Sequence, residues 1–223
     1  MSISEYSVTG EIISTVRQPS DANFANWYPP IKGMRWNYVI HKYHEPGTNS
    51  DLSSNPIDRA ILQAIRKSSD LIITSGRTAK AEQLRASKFA PMLIITRDST
   101  LEIPATSQES ENDVFIAGPQ SSRAFPNSKA NTVALEISDL PNWLSTFIDD
   151  FDSVVLESGV SLAKEILAAD LVKEVDITVS SANTFAEAFT HLETFMTLVN
   201  VSQRVIQVLK ADESWFFRCA VAQ

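Results

Sequence analysis

Residues 153–180, SVVLESGVSLAKEILAADLVKEVDITVS, decide how the rest of the chain is read. SVVLE is a short run of apolar and β-branched residues without polar alternation, the pattern of a strand covered on both faces. A Ser158-Gly159 corner follows, and SLAKEILAADL then sets Leu162, Ile166 and Leu167 on one helical stripe. VDITVS closes the unit as a second strand. Strand, helix and strand in that order predict a crossover between parallel strands.

The same grammar continues outward. DLIIT (70–74), PMLIIT (91–96) and DVFIAG (113–118) are further apolar runs, and RWNYVIHKYH (35–44) is strand-like through its aromatic and β-branched content. Helical spacing recurs in PIDRAILQAIRKS (56–68), where Ile57, Ile61, Leu62 and Ile65 share a stripe and Pro56 stands in the first turn. TAKAEQLRAS (78–87), DLPNWLSTFIDDF (139–151) and FAEAFTHLETFMTLV (185–199) also read as helices. QRVIQVLK and SWFFRCAVA form a hairpin across ADES. The expected fold class is α/β: a mainly parallel sheet flanked by helices and ending in an antiparallel hairpin. Residues 1–33 carry several turn formers and three prolines, and read as an irregular N-terminal arm laid over a single domain at 34–223.

Composition narrows the function. The 223 residues, 43% of them hydrophobic, supply a full-sized core. A net charge of −8 without any cluster of Lys and Arg argues against nucleic acid and against an anionic membrane as partner. The N-terminus lacks a positive region followed by a long apolar run, and no stretch of about 20 apolar residues is present, so a cytoplasmic location is expected. Cys219 is the only cysteine and reads as core. His41 and His44, three apart on a strand, point to opposite faces, so no metal site is expected there.

In a sheet of this kind ligands bind beyond the carboxyl ends of the strands. One apolar run leads to Thr74-Ser75-Gly76-Arg77-Thr78 and another to Thr96-Arg97-Asp98; SVVLE leads through Glu157 to Ser158-Gly159-Val160-Ser161. Hydroxyls and helix N-termini together can hold a pyrophosphate without lysine clusters, and Arg77 and Arg97 suit further phosphate groups. No G-x-G-x-x-G, P-loop or G-x-S-x-G motif is present. Thr74, Ser75, Gly76, Arg77, Thr78, Thr96, Arg97 and Glu157 through Ser161 are therefore the candidate cofactor-binding residues.

DLIITSGRTAKAE (70–82) resembles the segment of riboflavin-pathway pyrimidine reductases in which an apolar strand runs through a small polar corner into a helix, with Thr78, Lys80, Ala81 and Glu82 in the matching places. Residues 151–180 are similar to that family's second signature, a strand ending in Glu-Gly-Gly-Pro, a helix, a Leu-Val-Glu link and a closing strand; Glu157, Gly159, Leu162, Leu167, Leu171, Val172 and Glu174 carry the match. PMLIITRDSTLEIP resembles the family's strand and loop at the adenosine end of the cofactor, and SWFFRC its last strand. The resemblance implies a dihydrofolate-reductase-like fold, NADPH as cofactor, a small-molecule substrate and a homodimer. It further implies that Ser75, Gly76 and Thr78 serve the nicotinamide half, Ser158, Gly159 and Ser161 the phosphates, and Arg97 the adenosine side.

This chain departs from the family in two places. The Ser-Leu-Asp-Gly that usually ends the first strand is replaced by HKYHEPGTNSD, which leaves His44, Glu45, Asp51 and Arg59 as candidate substrate contacts. Glu-Gly-Gly-Pro has become Glu157-Ser158-Gly159-Val160, and a side chain at 158 adds bulk beside the expected phosphate position. No H-x-E with P-C-x-x-C is present, so the deaminase that accompanies bifunctional riboflavin enzymes is not expected. Three readings stand: an NADPH-dependent reductase of a small heterocycle, first the ribosylaminopyrimidine phosphate; a non-catalytic nucleotide-binding or assembly module of the same fold; and a pterin reductase of the dihydrofolate type.

Overall fold

A computed structural model describes residues 2–41, 56–84, 87–98, 112–119, 131–135 and 137–222. Within them a sheet of eleven strands carries the chain. In chain order the strands are β1 (Ser2–Tyr6), β2 (Ile12–Arg17), β3 (Gly33–His41), β4 (Leu71–Ser75), β5 (Met92–Ile95), β6 (Val114–Gly118), β7 (Asn131–Ala134), β8 (Ser153–Glu157), β9 (Val172–Ser180), β10 (Gln203–Ala211) and β11 (Ser214–Val221). The helices are α1 (Asp21–Trp27), α2 (Pro56–Lys67), α3 (Gly76–Ala81), α4 (Leu140–Ile148), α5 (Val160–Ala168) and α6 (Phe185–Leu198).

Across the sheet the order is β2-β1-β10-β11-β9-β3-β8-β4-β5-β6-β7. From β9 to β7 every neighbouring pair is parallel, and from β2 to β9 every pair is antiparallel. The mainly parallel α/β sheet with its terminal hairpin is thus as the apolar runs imply. Asp212 and Glu213 connect that hairpin, with Asp212 at φ 52 in the left-handed region.

Alternation along each strand divides the core in two. Leu71, Ile73, Val154, Leu156, Val175 and Ile177 face a cluster with Leu140 and Leu144 of α4, Ala163 and Ile166 of α5, and Leu192 and Phe195 of α6. Ile72, Met92, Ile94 and Val155 face the other side, against Phe24 of α1, Ile57, Ile61 and Ile65 of α2, and Ala79 of α3. The central strands are covered on both faces, which explains their unbroken apolar runs.

The arm at 1–33 differs from its expectation. It forms the β1–β2 hairpin, which extends the sheet beside β10, and the helix α1. Ile3, Phe24, Trp27 and Tyr28 are all buried. The turn-forming residues read as irregular are a real helix start: the Asn23 side chain accepts the Ser20 N–H at 3.0 Å, and the Asn23 N–H donates to the Ser20 carbonyl at 2.9 Å. α3 is also shorter than the helical spacing of 78–87 suggests, ending at Ala81 with Gln83 at φ 46. Among the described residues no helix is long and apolar enough to cross a membrane.

Candidate functional site

Strands β8 and β4 are parallel neighbours whose following helices depart to opposite faces of the sheet: α5 joins the cluster of α4 and α6, and α3 that of α1 and α2. In open α/β sheets such a pair of strand ends is the switch point beyond which ligands bind. β4 lies between β8 and β5, with Thr74 level with Glu157 and Ser75 level with Ile95, so the carboxyl ends of β8, β4 and β5 lie side by side at spacings of about 5 Å, while β3 runs on past this level to His41. Thr78, Arg97 and Gly159 follow three of these strand ends and share one end of the molecule.

The corner after β4 is closed by its own hydroxyls. Ser75 Oγ accepts the Thr78 N–H at 3.1 Å and lies 2.8 Å from Thr78 Oγ1, a helix cap that takes both side chains. Gly76 is buried and Arg77 exposed. Thr74 is fully buried, and its hydroxyl donates to the Glu157 carbonyl at 2.7 Å. After β5, Thr96 Oγ1 accepts the Asp98 N–H at 3.0 Å, so this hydroxyl also serves its own turn. Arg97 is exposed and reaches across the rim to an ion pair with Glu165 of α5.

The β8–α5 corner is held from three sides. Arg66 of α2 forks onto the Glu157 carboxylate, Nε to Oε1 at 2.7 Å and Nη2 to Oε2, so this side chain is committed to an ion pair. Trp36 Nε1 donates to the Ser158 carbonyl at 3.1 Å. The Ser158 side chain is buried and its hydroxyl turns to the Gly159 carbonyl at 3.3 Å. The bulk expected from a serine at this position therefore lies under the turn. Gly159 is exposed, and a Cβ built on it would meet no atom within 4 Å, which leaves open space in front of the first turn of α5. Val160 opens α5 and Ser161 is exposed on it.

On the substrate side, His44, Glu45 and Asp51 lie outside the described residues, and Arg59 is exposed on α2. The neighbouring Asp58 was not among the candidates, yet it is the buried carboxylate at this end of the sheet. It is 5% exposed, and its Oδ1 accepts the Thr178 hydroxyl at 2.6 Å. Burial raises its pKa, against the lowering effects of the Thr178 hydrogen bond and the Arg59 charge. Its signal in the sequence was its place on the α2 stripe, three, four and seven residues before Ile61, Leu62 and Ile65.

A second polar group lies deeper on the same face, under α1. Glu174 accepts Arg35 Nε at 2.8 Å and Arg218 Nε and Nη2 at 2.8 and 2.9 Å. The two arginines also hold the carbonyls of Pro29 and Trp27, at 2.9 and 3.1 Å. Asp176 is buried beside them, and burial lifts its pKa to about 7. Cys219 is buried on the opposite face of β11, where burial pushes its thiol up to about 12, so it stays protonated. Among the described residues no group of His, Cys, Asp and Glu is placed to hold a metal ion.

No protein-family model matches this sequence, and no curated protein matches it. Solved structures do match in fold. A pyrimidine reductase-like protein from Corynebacterium diphtheriae superposes with a TM-score of 0.64 at 12% identity, covering 90% of this chain and 95% of that one. Saccharomyces cerevisiae Rib7, a riboflavin biosynthesis reductase, gives 0.59 at 14% identity over 92% and 100%. Acinetobacter baumannii RibD gives 0.60 at 14% identity over 86% of this chain, which spans 59% of the RibD chain. The chain thus shares its fold with these reductases, as its sequence resemblance implies.

Proposed function

We propose that the chain is an NADPH-dependent reductase of a small heterocyclic substrate. The observation that carries this reading is the pair of strand ends at the β8/β4 switch point, where the exposed Gly159 and the first turn of α5 stand beside the Ser75–Thr78 corner. The fold neighbours support it, because they include pyrimidine and riboflavin biosynthesis reductases.

The residues present fit a nicotinamide dinucleotide. The amides at the start of α5 have no intrahelical acceptors and suit the phosphates. Arg97 is proposed for the adenosine side, two strands from β8, and Ser75, Gly76 and Thr78, on β4 between them, for the stretch of cofactor that joins the two. The cofactor, when bound, supplies hydride. The chain's own contribution is orientation and charge. Asp58, fixed by Thr178 and buried near the ends of β9 and β3, presents a carboxyl group whose raised pKa suits it to hold donor groups of a heterocycle or to carry a proton.

A ribosylaminopyrimidine phosphate is the first substrate to test, and a dihydropterin the second. A homodimer is part of the proposal and is read by sedimentation. The reading as a binding module without turnover is favoured by one feature: Ser75–Thr78, Arg66–Glu157 and Arg97–Glu165 satisfy each other inside the chain. Titrating the protein with NADPH, by fluorescence and thermal shift, and then following NADPH absorbance with each substrate separates these readings. Absence of binding at millimolar NADPH would overturn the reductase. Binding without consumption of NADPH on either substrate points to the module.

A further inference from the structure

We propose that Trp36 and Thr74 are positioning residues that aim the backbone of the β8–α5 turn at an anion. The proposal rests on the reading above, that this turn takes the phosphates of a dinucleotide. β8 ends at Glu157 and α5 begins at Val160, so only Ser158 and Gly159 make the turn. Both carbonyls that lead into it are captured by side chains from the flanking strands. Thr74 of β4 donates to the Glu157 carbonyl at 2.7 Å, and Trp36 of β3 donates to the Ser158 carbonyl at 3.1 Å.

Stereochemistry then dictates the direction of the amides. The described peptides contain no cis bond, and in a trans peptide the N–H points opposite to the carbonyl that precedes it. With the Ser158 carbonyl turned to the indole, the Gly159 N–H faces away from Trp36. It thereby adds to the amides of Val160, Ser161 and Leu162, which an α-helix leaves without acceptors in its first turn. The exposed Gly159, with no atom within 4 Å of a Cβ built there, leaves room at this position.

The two donors cannot be exchanged with water, since Trp36 and Thr74 are fully buried. The indole is also fixed in plane: Tyr38 and Phe195 lie against it with ring centroids at 5.3 and 5.6 Å. Thr74 follows the three apolar residues that open β4, and valine differs from it chiefly by the hydroxyl. What the threonine adds is the hydroxyl that holds the turn. A peptide flip that released the Ser158 carbonyl would withdraw the Gly159 amide from the anion, and the Thr74 bond to the Glu157 carbonyl anchors the strand end from which that peptide departs, so the two side chains act on affinity for phosphate without touching it.

The test uses the full chain as wild type and as Thr74→Val, Thr74→Ser and Trp36→Phe. Dissociation constants are measured for NADPH by fluorescence and for inorganic pyrophosphate by competition. Thr74→Val and Trp36→Phe are expected to weaken both by about three- to tenfold, the worth of one hydrogen bond, while Thr74→Ser restores binding to within about twofold of wild type. A role confined to stability would lower the melting temperature of Thr74→Val and leave both constants in place. That result, with wild type binding NADPH, overturns the positioning role and leaves the reductase reading standing. A wild-type protein that binds neither NADPH nor pyrophosphate overturns both. If Trp36→Phe does not fold, the valine and serine pair at 74 decides alone.

Discussion

Asp58 Oδ1 accepts the hydroxyl of Thr178 at 2.6 Å, tying the first turn of α2 to β9 two residues before that strand ends. This bond fixes a buried carboxyl group near the carboxyl end of β9. Replacing Asp58 with Asn keeps its size and an acceptor for Thr178, and removes a charge that burial already disfavours. The expected result is a melting temperature equal to or above that of wild type, unchanged NADPH affinity, and turnover reduced about tenfold or more, the range set by a positioned acid or base. Turnover equal to wild type would remove Asp58 from the site.

Stability is expected to depend on pH through Asp176. Arg35 Nε lies 3.0 Å from Asp176 Oδ2 but directs its hydrogen bond to Glu174, and neither oxygen of Asp176 has a hydrogen-bond partner. Burial therefore outweighs the nearby arginines and raises the carboxyl from 3.8 to about 7. A raised carboxyl pKa means that the folded state holds a proton the unfolded state has released. This contribution is complete below the unfolded pKa of 3.8 and is lost as pH rises through about 7. Wild type should therefore melt at a lower temperature at pH 8 than at pH 5, with a loss of stability on the order of 2 kcal/mol between them. Asp176→Asn should flatten that profile and melt higher than wild type at pH 8. Parallel profiles for the two proteins would mean that Asp176 does not titrate in this range.

The Arg66–Glu157 pair should matter more for stability than any other ion pair near the rim. Its side chains are 23% and 11% exposed, and its geometry is bidentate. Removing one partner leaves a charge largely out of water, so Arg66→Met is expected to cost about 2 to 3 kcal/mol in urea unfolding. The double variant Arg66→Met, Glu157→Gln should recover more than half of that loss, because no charge is then stranded. Additive losses would show that the two residues act separately.

Several parts of this structure were legible in the sequence for a common reason: the information lay within a few residues. The apolar runs of β4, β5 and β8 and the stripe of α2 are local patterns, and each became the element they imply. β2 gave no such pattern because it lies at the sheet edge with most of its residues exposed, and the apolar Ile12 and Ile13 remain in solvent. The rim followed from topology once the parallel strands were recognised. What could not be read was how its polar groups are spent. Glu157 is paired with a residue 91 positions away, and Thr74 bonds a carbonyl 83 positions away. A threonine at the end of an apolar run looks the same whether its hydroxyl faces a ligand or a neighbouring strand.

Arg97 offers the sharpest separation of a ligand role from a structural one. Its pair with Glu165 is 59% and 33% exposed, so water and salt screen it, and its loss is expected to cost no more than about 1 kcal/mol. If the adenosine end of NADPH lies over the corner after β5, this guanidinium stands on that corner to pair with the phosphate that distinguishes NADPH from NADH. Arg97→Ala should then weaken NADPH about tenfold, bring it level with NADH, and leave the melting temperature almost unchanged. Glu165→Gln releases the arginine from its partner and should leave NADPH affinity equal or improved. Equal losses for both cofactors in Arg97→Ala would place the adenosine phosphate elsewhere on the rim.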